Sequence, residues 1–197
     1  MKLVIASNNA HKITEIKAIL GPHFDEIVSL REEGIDIDVV EDGDTFEANA
    51  IKKASEVLAV SGEDAVLSDD SGLMVDALNG APGVYSARFA GEGHDDKMNN
   101  DKLLRVMAEV PDDERGCRFV SAVALARRGR EPLVACGAVE GRLLHNERGN
   151  NGFGYDPLFL YEPLNKSFAE LTADEKNGIS HRKRALEALR ELLAAGR

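Results

Sequence analysis

The chain has 197 residues, enough for one domain whose core removes about 70% of the unfolded surface from water. Its 24 Lys and Arg against 35 Asp and Glu leave a formal net charge of −11, which excludes a protein that holds nucleic acid through a general basic surface. A single small polyanion stays possible if a few cations are gathered locally or a divalent metal neutralises the ligand. The balance of 43% hydrophobic and 30% charged residues is that of a soluble globular domain, and no stretch approaches the ~20 apolar residues of a membrane helix.

Residues 2–6 read as a buried strand, followed by a polar turn at Ser7-Asn8-Asn9 and a helix from Ala10 to Leu20, with Ile13, Ile16, Ile19 and Leu20 on one face. Gly21-Pro22 stops that helix. The apolar run at the N-terminus is shorter than the about 7–15 residues of an export signal, so a cytoplasmic chain is expected. Cys117 and Cys136 then read as buried small hydrophobes rather than a disulfide. A second helix is predicted over Thr45 to Val60, with Asp44 as N-cap, Glu47 as its capping-box partner and Ala50, Ala54, Val57 and Leu58 as the apolar stripe. Ala65–Ser68 and Leu73–Leu78 read as two short strands, and Asp95–Ala108 as a helix. Phe119–Ala126 and Leu133–Val139 are β-rich runs joined by a hairpin turn through Arg127-Arg128-Gly129-Arg130. A Gly/Asn/Asp-rich loop over 144–157, a strand from Pro157 to Tyr161 and an amphipathic helix from Ser180 to Ala194 complete the chain. Strand-helix units plus a hairpin predict one α/β domain over 1–197 with a mixed sheet.

Three constellations carry chemistry. Ser7-Asn8-Asn9-Ala10-His11-Lys12, at a strand-to-helix turn, joins unsatisfied backbone N–H groups to an ammonium and suits an anion; it reads equally as an ordinary helix cap. The second is acidic. Arg31 to Glu47 carries eight carboxylates and one cation, most of them a solvated face, whereas Asp69-Asp70 emerges from an apolar strand and needs a compensating charge. Carboxylates at strand ends hold hard cations such as Mg²⁺ together with substrate phosphates. A calcium loop is excluded because Glu41 stands where the sharp turn wants Gly, and no Gly-x-x-x-x-Gly-Lys phosphate loop is present. The third is cationic: Lys176, Arg182, Lys183, Arg184 and Arg190 face one acid, Glu187, over fifteen residues. His181 and Arg182 fall in a first helical turn, where cations oppose the dipole and a bound acceptor would offset the cost. Phe153 and Tyr155 in the Gly-rich loop can stack a base or anchor the loop. Together these pieces suggest a nucleotide with several phosphates, a metal on the acidic side and a base on the cationic side.

Six segments, in order, resemble the inosine triphosphate pyrophosphatase family (XTP/dITP diphosphatases): Ser7–Lys12; Glu41 with Thr45–Ala54; Ser68–Leu73; Gly80–Arg88; Gly152–Pro157; and Ile179–Arg182. The resemblance implies a long mixed sheet flanked by helices, in two lobes with the nucleotide cleft between them, and a homodimer. It implies Mg²⁺-dependent hydrolysis of the purine nucleoside triphosphates ITP, dITP or XTP to the monophosphate and pyrophosphate, which removes deaminated purines from the nucleotide pool, with no nucleic-acid or membrane partner. Carried over residue by residue, Ser7, Asn8, Asn9, Ala10, His11 and Lys12 would cradle the triphosphate, with Lys53 as a further phosphate contact. Glu41 and Asp70 would bind metal, Asp70 also accepting a proton; Ser71 would touch substrate. Phe153, Gly154, Tyr155, Asp156, Lys176, His181 and Arg182 would form the base pocket. Lys176 and Arg182 carry donors only, so they match a 6-keto oxygen and would be left unpaired by adenine. A dehalogenase-type phosphatase is a poorer match, since its aspartate pair has an intervening residue; a catalytically silent nucleotide-binding regulator has little need of a general base.

Overall fold

In a computed structural model of the chain, residues 2–92 and 95–196 are described, apart from the side chain of His11. The strands are β1 (Lys2–Ile5), β2 (Glu26–Ser29), β3 (Ala65–Val75), β4 (Gly116–Arg127), β5 (Leu133–Leu143), β6 (Phe159–Tyr161) and β7 (Lys166–Ser167). The helices are α1 (Ala10–Leu20), α2 (Leu30–Glu33), α3 (Phe46–Ser61), α4 (Asp96–Val106), α5 (Ala173–Ile179) and α6 (His181–Ala194). The strands make one sheet in the order β2, β1, β3, β4, β5, β6, β7. β1 pairs in parallel with β2 and β3, whereas β6 pairs antiparallel with β5 and β7, so the expected mixed sheet flanked by helices is present. Among the described residues no helix is long and apolar enough to cross a membrane.

The chain divides into two compact units, one of Met1–Asp70, Ser121–Gly137 and His181–Arg197, the other of Ser71–Val120 and Ala138–Ser180. In the first, Leu3, Ile5, Leu67, Val123 and Leu125 of the strands bury against Ile16 and Leu20 of α1 and Leu186 and Leu189 of α6. Each such side chain contributes about 1.5–3 kcal/mol of apolar transfer. The second unit has its own core, in which Phe119, Phe159 and Phe168 meet at centroid separations of 4.7, 5.7 and 4.6 Å.

The structure corrects the sequence reading in four places. The two strands predicted on either side of Asp69-Asp70 are one eleven-residue strand, β3, running through both carboxylates. The cap of α3 is Thr45, whose hydroxyl accepts the N–H of Ala48, rather than Asp44. The strands and short helices at β2, α2, β7 and α5 lie in stretches where no apolar periodicity marks them. Finally, Cys136 is exposed, with its thiol 3.2 Å from Glu47, while Cys117 is buried as expected.

Candidate active site

Alternation along β3 organises the first unit. Side chains of successive strand residues point to opposite faces, and Ala65, Leu67 and Asp69 share the face that carries α1 and α6. Val66, Ser68 and Asp70 share the other, where the Ser68 hydroxyl bonds the Ala50 carbonyl of α3 at 2.5 Å. Neighbouring aspartates therefore occupy different environments.

Asp69 is buried and receives the Lys12 ammonium at 2.7 Å, the Ser121 hydroxyl at 2.5 Å and the Arg182 guanidinium at 3.3 Å. Burial alone would raise its pKa, but the charges of Arg182 and Lys12, aided by the hydrogen bonds, hold it far below the usual carboxylate range. Arg182, itself buried, also donates to Glu15 of α1 at 2.5 Å. The compensating charge expected for the aspartate pair is thus built, for Asp69, from two cations distant in sequence. The acceptors of Arg182, at the start of α6, are protein carboxylates.

Asp70 has the opposite character. Burial, reinforced by the negative charge of Glu41, pushes its carboxyl up to about 6, against a hydrogen bond from Asn49. Asn49 donates to Asp70 at 3.0 Å and accepts the Gly43 N–H at 2.7 Å, so one buried side chain ties Asp70 to the acidic loop before α3. Sequence reasoning did not single out Asn49; its signal was a polar residue one position before Ala50 on the buried stripe. Glu41 is ion-paired with Lys53, one turn further along α3. Among the described residues no three His, Cys, Asp or Glu side chains gather as a metal cluster.

At the turn from β1 to α1, the Asn9 side chain caps the helix by accepting the Lys12 N–H at 3.2 Å, and Ser7 Oγ accepts the Asn9 N–H at 3.1 Å. The Asn8 side-chain oxygen accepts the Arg31 N–H at 3.2 Å. The turn is a well-capped helix start, and the N–H groups of Ala10 and His11 open that helix, where no preceding turn supplies carbonyl acceptors. The His11 side chain lies outside the described residues. His181 and Arg182 begin α6 against Gly137 of β5: a Cβ there would lie 2.3 Å from the His181 carbonyl, so only glycine admits the helix this close to the strand.

In the second unit, Asp156 is buried and accepts the Phe153 N–H at 3.0 Å and the Lys176 ammonium at 2.5 Å. That ammonium lies 4.3 Å from the Phe153 ring centre, a cation–π geometry. The Tyr155 hydroxyl donates to the Ser86 carbonyl at 2.8 Å, so Tyr155 anchors the loop. Ser71 lies on β3 directly after Asp70. Lys176 and Arg182 both have carboxylate partners within the protein, which removes the argument that adenine would leave them unpaired. Gly152 has φ +77°, and a Cβ there would lie 2.1 Å from the Asp156 carboxylate. Gly152→Ala is expected to destabilise the protein by about 1–3 kcal/mol in urea unfolding; an unchanged midpoint would show that the carboxylate yields without cost.

A family model described as the Ham1 family matches residues 3–192. The chain belongs to the Ham1 family. This Ham1 chain is 52% identical over 191 residues to a dITP/XTP pyrophosphatase of Leuconostoc mesenteroides, covering 96% of this chain and 94% of that one. It is 53% identical over 197 residues to a dITP/XTP pyrophosphatase of Clostridium perfringens, covering 98% and 97%. Among solved structures, the Staphylococcus aureus Ham1 protein superposes with a TM-score of 0.89 at 40% identity, covering 100% of both chains. The resemblance drawn from six motifs is borne out.

Proposed function

We propose that this chain is a nucleoside triphosphate pyrophosphatase that hydrolyses dITP, ITP and XTP to the monophosphate and pyrophosphate. The observation that carries the reading is Asp70: a buried carboxyl lifted to about 6 beside Glu41, in the same unit as the opening turn of α1, Lys12 and Lys53. A general base works best with a pKa near the operating pH, and strong shifts from burial plus a specific charge mark functional carboxylates.

Glu41 and Asp70 fit Mg²⁺, a hard cation taken up through one or two carboxylates with phosphate oxygens and water completing its shell, and their mutual repulsion is what such a cation relieves. When bound, the ion supplies charge neutralisation on the phosphate oxygens and acidifies water at the site. Asp70 takes the proton of the water that attacks the α-phosphorus, and the bond from that phosphorus to the bridging oxygen breaks to release pyrophosphate. Asn49 holds the Asp70 carboxylate in place. The opening N–H groups of α1, with Lys12 and Lys53, bear the phosphate charge once nucleotide competes with Asp69 and Glu41 for the two ammoniums. Ser71 touches the substrate, and Phe153–Asp156 with Lys176 receives the base; Lys176 spends one of three N–H donors on Asp156. Arg182 acts by fixing Asp69, and through it Lys12; His181 and the His11 side chain belong to the binding set through the family motif alone.

The reading takes residues 1–197 as one catalytic domain working on free nucleotides as a cytoplasmic homodimer, and the charge of −11 supports the exclusion of nucleic acid as a partner. Incubation with dITP, ITP or XTP and Mg²⁺, followed by identification of the released phosphate, tests it. Pyrophosphate is expected. Orthophosphate would make the protein a phosphatase, and tight binding without turnover a regulator.

A further inference from the structure

The loop Gly152–Asp156 is held by more than its own side chains. Within the second unit, Asp96 in the first turn of α4 accepts the Gly154 N–H at 2.7 Å, and Asn100, one turn later, donates to the Gly154 carbonyl at 3.1 Å. Residues four apart share a helix face, so α4 grips both peptide groups of one residue. That residue has φ +59°, the left-handed region, where neither helix nor strand partners exist for its backbone. Asn100 is buried, and an amide spent there on a loop carbonyl costs desolvation that only a fixed partner repays. The neighbouring Asn99 does the same for another segment, accepting the Ala90 N–H at 2.7 Å and donating to the Ala87 carbonyl at 3.2 Å.

Gly154 stands between Phe153, whose ring the Lys176 ammonium covers, and Tyr155, whose hydroxyl is tied to Ser86. Rotating the peptide on either side of Gly154 would swing the Phe153 ring while leaving the Tyr155 anchor in place. We propose that Asp96 and Asn100 are positioning residues for purine-base recognition: by clamping Gly154 they fix the plane of the Phe153 ring. The proposal rests on the pyrophosphatase reading above. Both side chains are spent on the Gly154 backbone, so loss of the clamp is felt in binding of the base.

The test compares unsubstituted protein with Asn100→Leu, which keeps the shape and removes the donor, Asp96→Ala, which acts from the exposed end of the clamp, and Asp96→Asn, which keeps an acceptor. In the first two, KM for dITP is expected to rise about tenfold, one hydrogen bond's worth of ordering, with kcat within about twofold. Inhibition by IMP should weaken by the same factor while inhibition by pyrophosphate stays unchanged, and Asp96→Asn should restore the KM. A fall in kcat at constant KM, or equal weakening of both inhibitors, would show a merely structural contact and overturn the clamp; Asp96→Ala decides the matter if Asn100→Leu fails to fold. Absence of pyrophosphate release by the unsubstituted protein would overturn the enzymatic reading itself and the clamp with it.

Discussion

Asp70→Asn is expected to lower kcat for dITP about 10²–10⁴-fold, the range for removal of a general base, and at the same time to make the metal-free protein more stable at pH 8. The second half follows from the sign of the shift. The Asp70 carboxyl rises from 3.8 to about 6, so the stabilisation it gives is complete below pH ~4, where it is protonated folded and unfolded alike. It is lost as the pH climbs through about 6 and a buried charge must be carried. Two units correspond to about 3 kcal/mol, and Asn at this position never incurs that loss. In urea unfolding with EDTA, the variant should gain on the parent by about 2–3 kcal/mol between pH 4 and pH 8. Retained turnover would remove Asp70 from the chemistry; a variant no more stable at pH 8 would mean that the strain is not there.

Asp69→Ala should act in the opposite way. Its carboxylate is the shared partner of Lys12 and Arg182, and breaking a buried ion pair from one side costs about 3–5 kcal/mol because the remaining charge is stranded. Arg182 keeps Glu15, so Arg182→Ala and Asp69→Ala together should cost less than the sum of the two, with a coupling of about 0.5–3 kcal/mol in the double-mutant cycle. A loss below about 1 kcal/mol for Asp69→Ala, or strict additivity, would show that the cluster behaves like a surface ion pair.

Asp69 and Asp70 are adjacent, and the sequence hides the difference between them. The motif Ser68–Leu73 identifies the pair and even demands a countercharge, because two carboxylates leaving an apolar strand are expensive. Reading a polar dipeptide as a break, however, splits β3 in two and discards the alternation that assigns Asp69 to the α1 and α6 face and Asp70 to the α3 face. The strand survives its carboxylates because Lys12, Ser121 and Arg182 arrive from three distant segments, a convergence no local pattern announces. α1 was legible residue for residue: its apolar spacing is regular and Gly21-Pro22 ends it. β2, α2, α5 and β7 were not, being short and ordered by tertiary contacts rather than by periodicity. The loop Gly152–Asp156 stands out by its glycines and aromatics, but its tether to α4 does not, since Asp96 and Asn100 lie more than fifty positions from Gly154 and read only as polar residues of a polar helix.

The anchoring of Tyr155 also has an optical consequence. The chain contains no tryptophan and three tyrosines, so its near-ultraviolet absorption and emission come chiefly from Tyr85, Tyr155 and Tyr161. One of the three, Tyr155, lies within the loop Gly152–Asp156, 4% exposed, with its hydroxyl on a carbonyl and burial pushing its phenol well above the usual range. The protein carries a native chromophore in the loop proposed to receive the base, and a change in that loop can be followed by light without attaching a label.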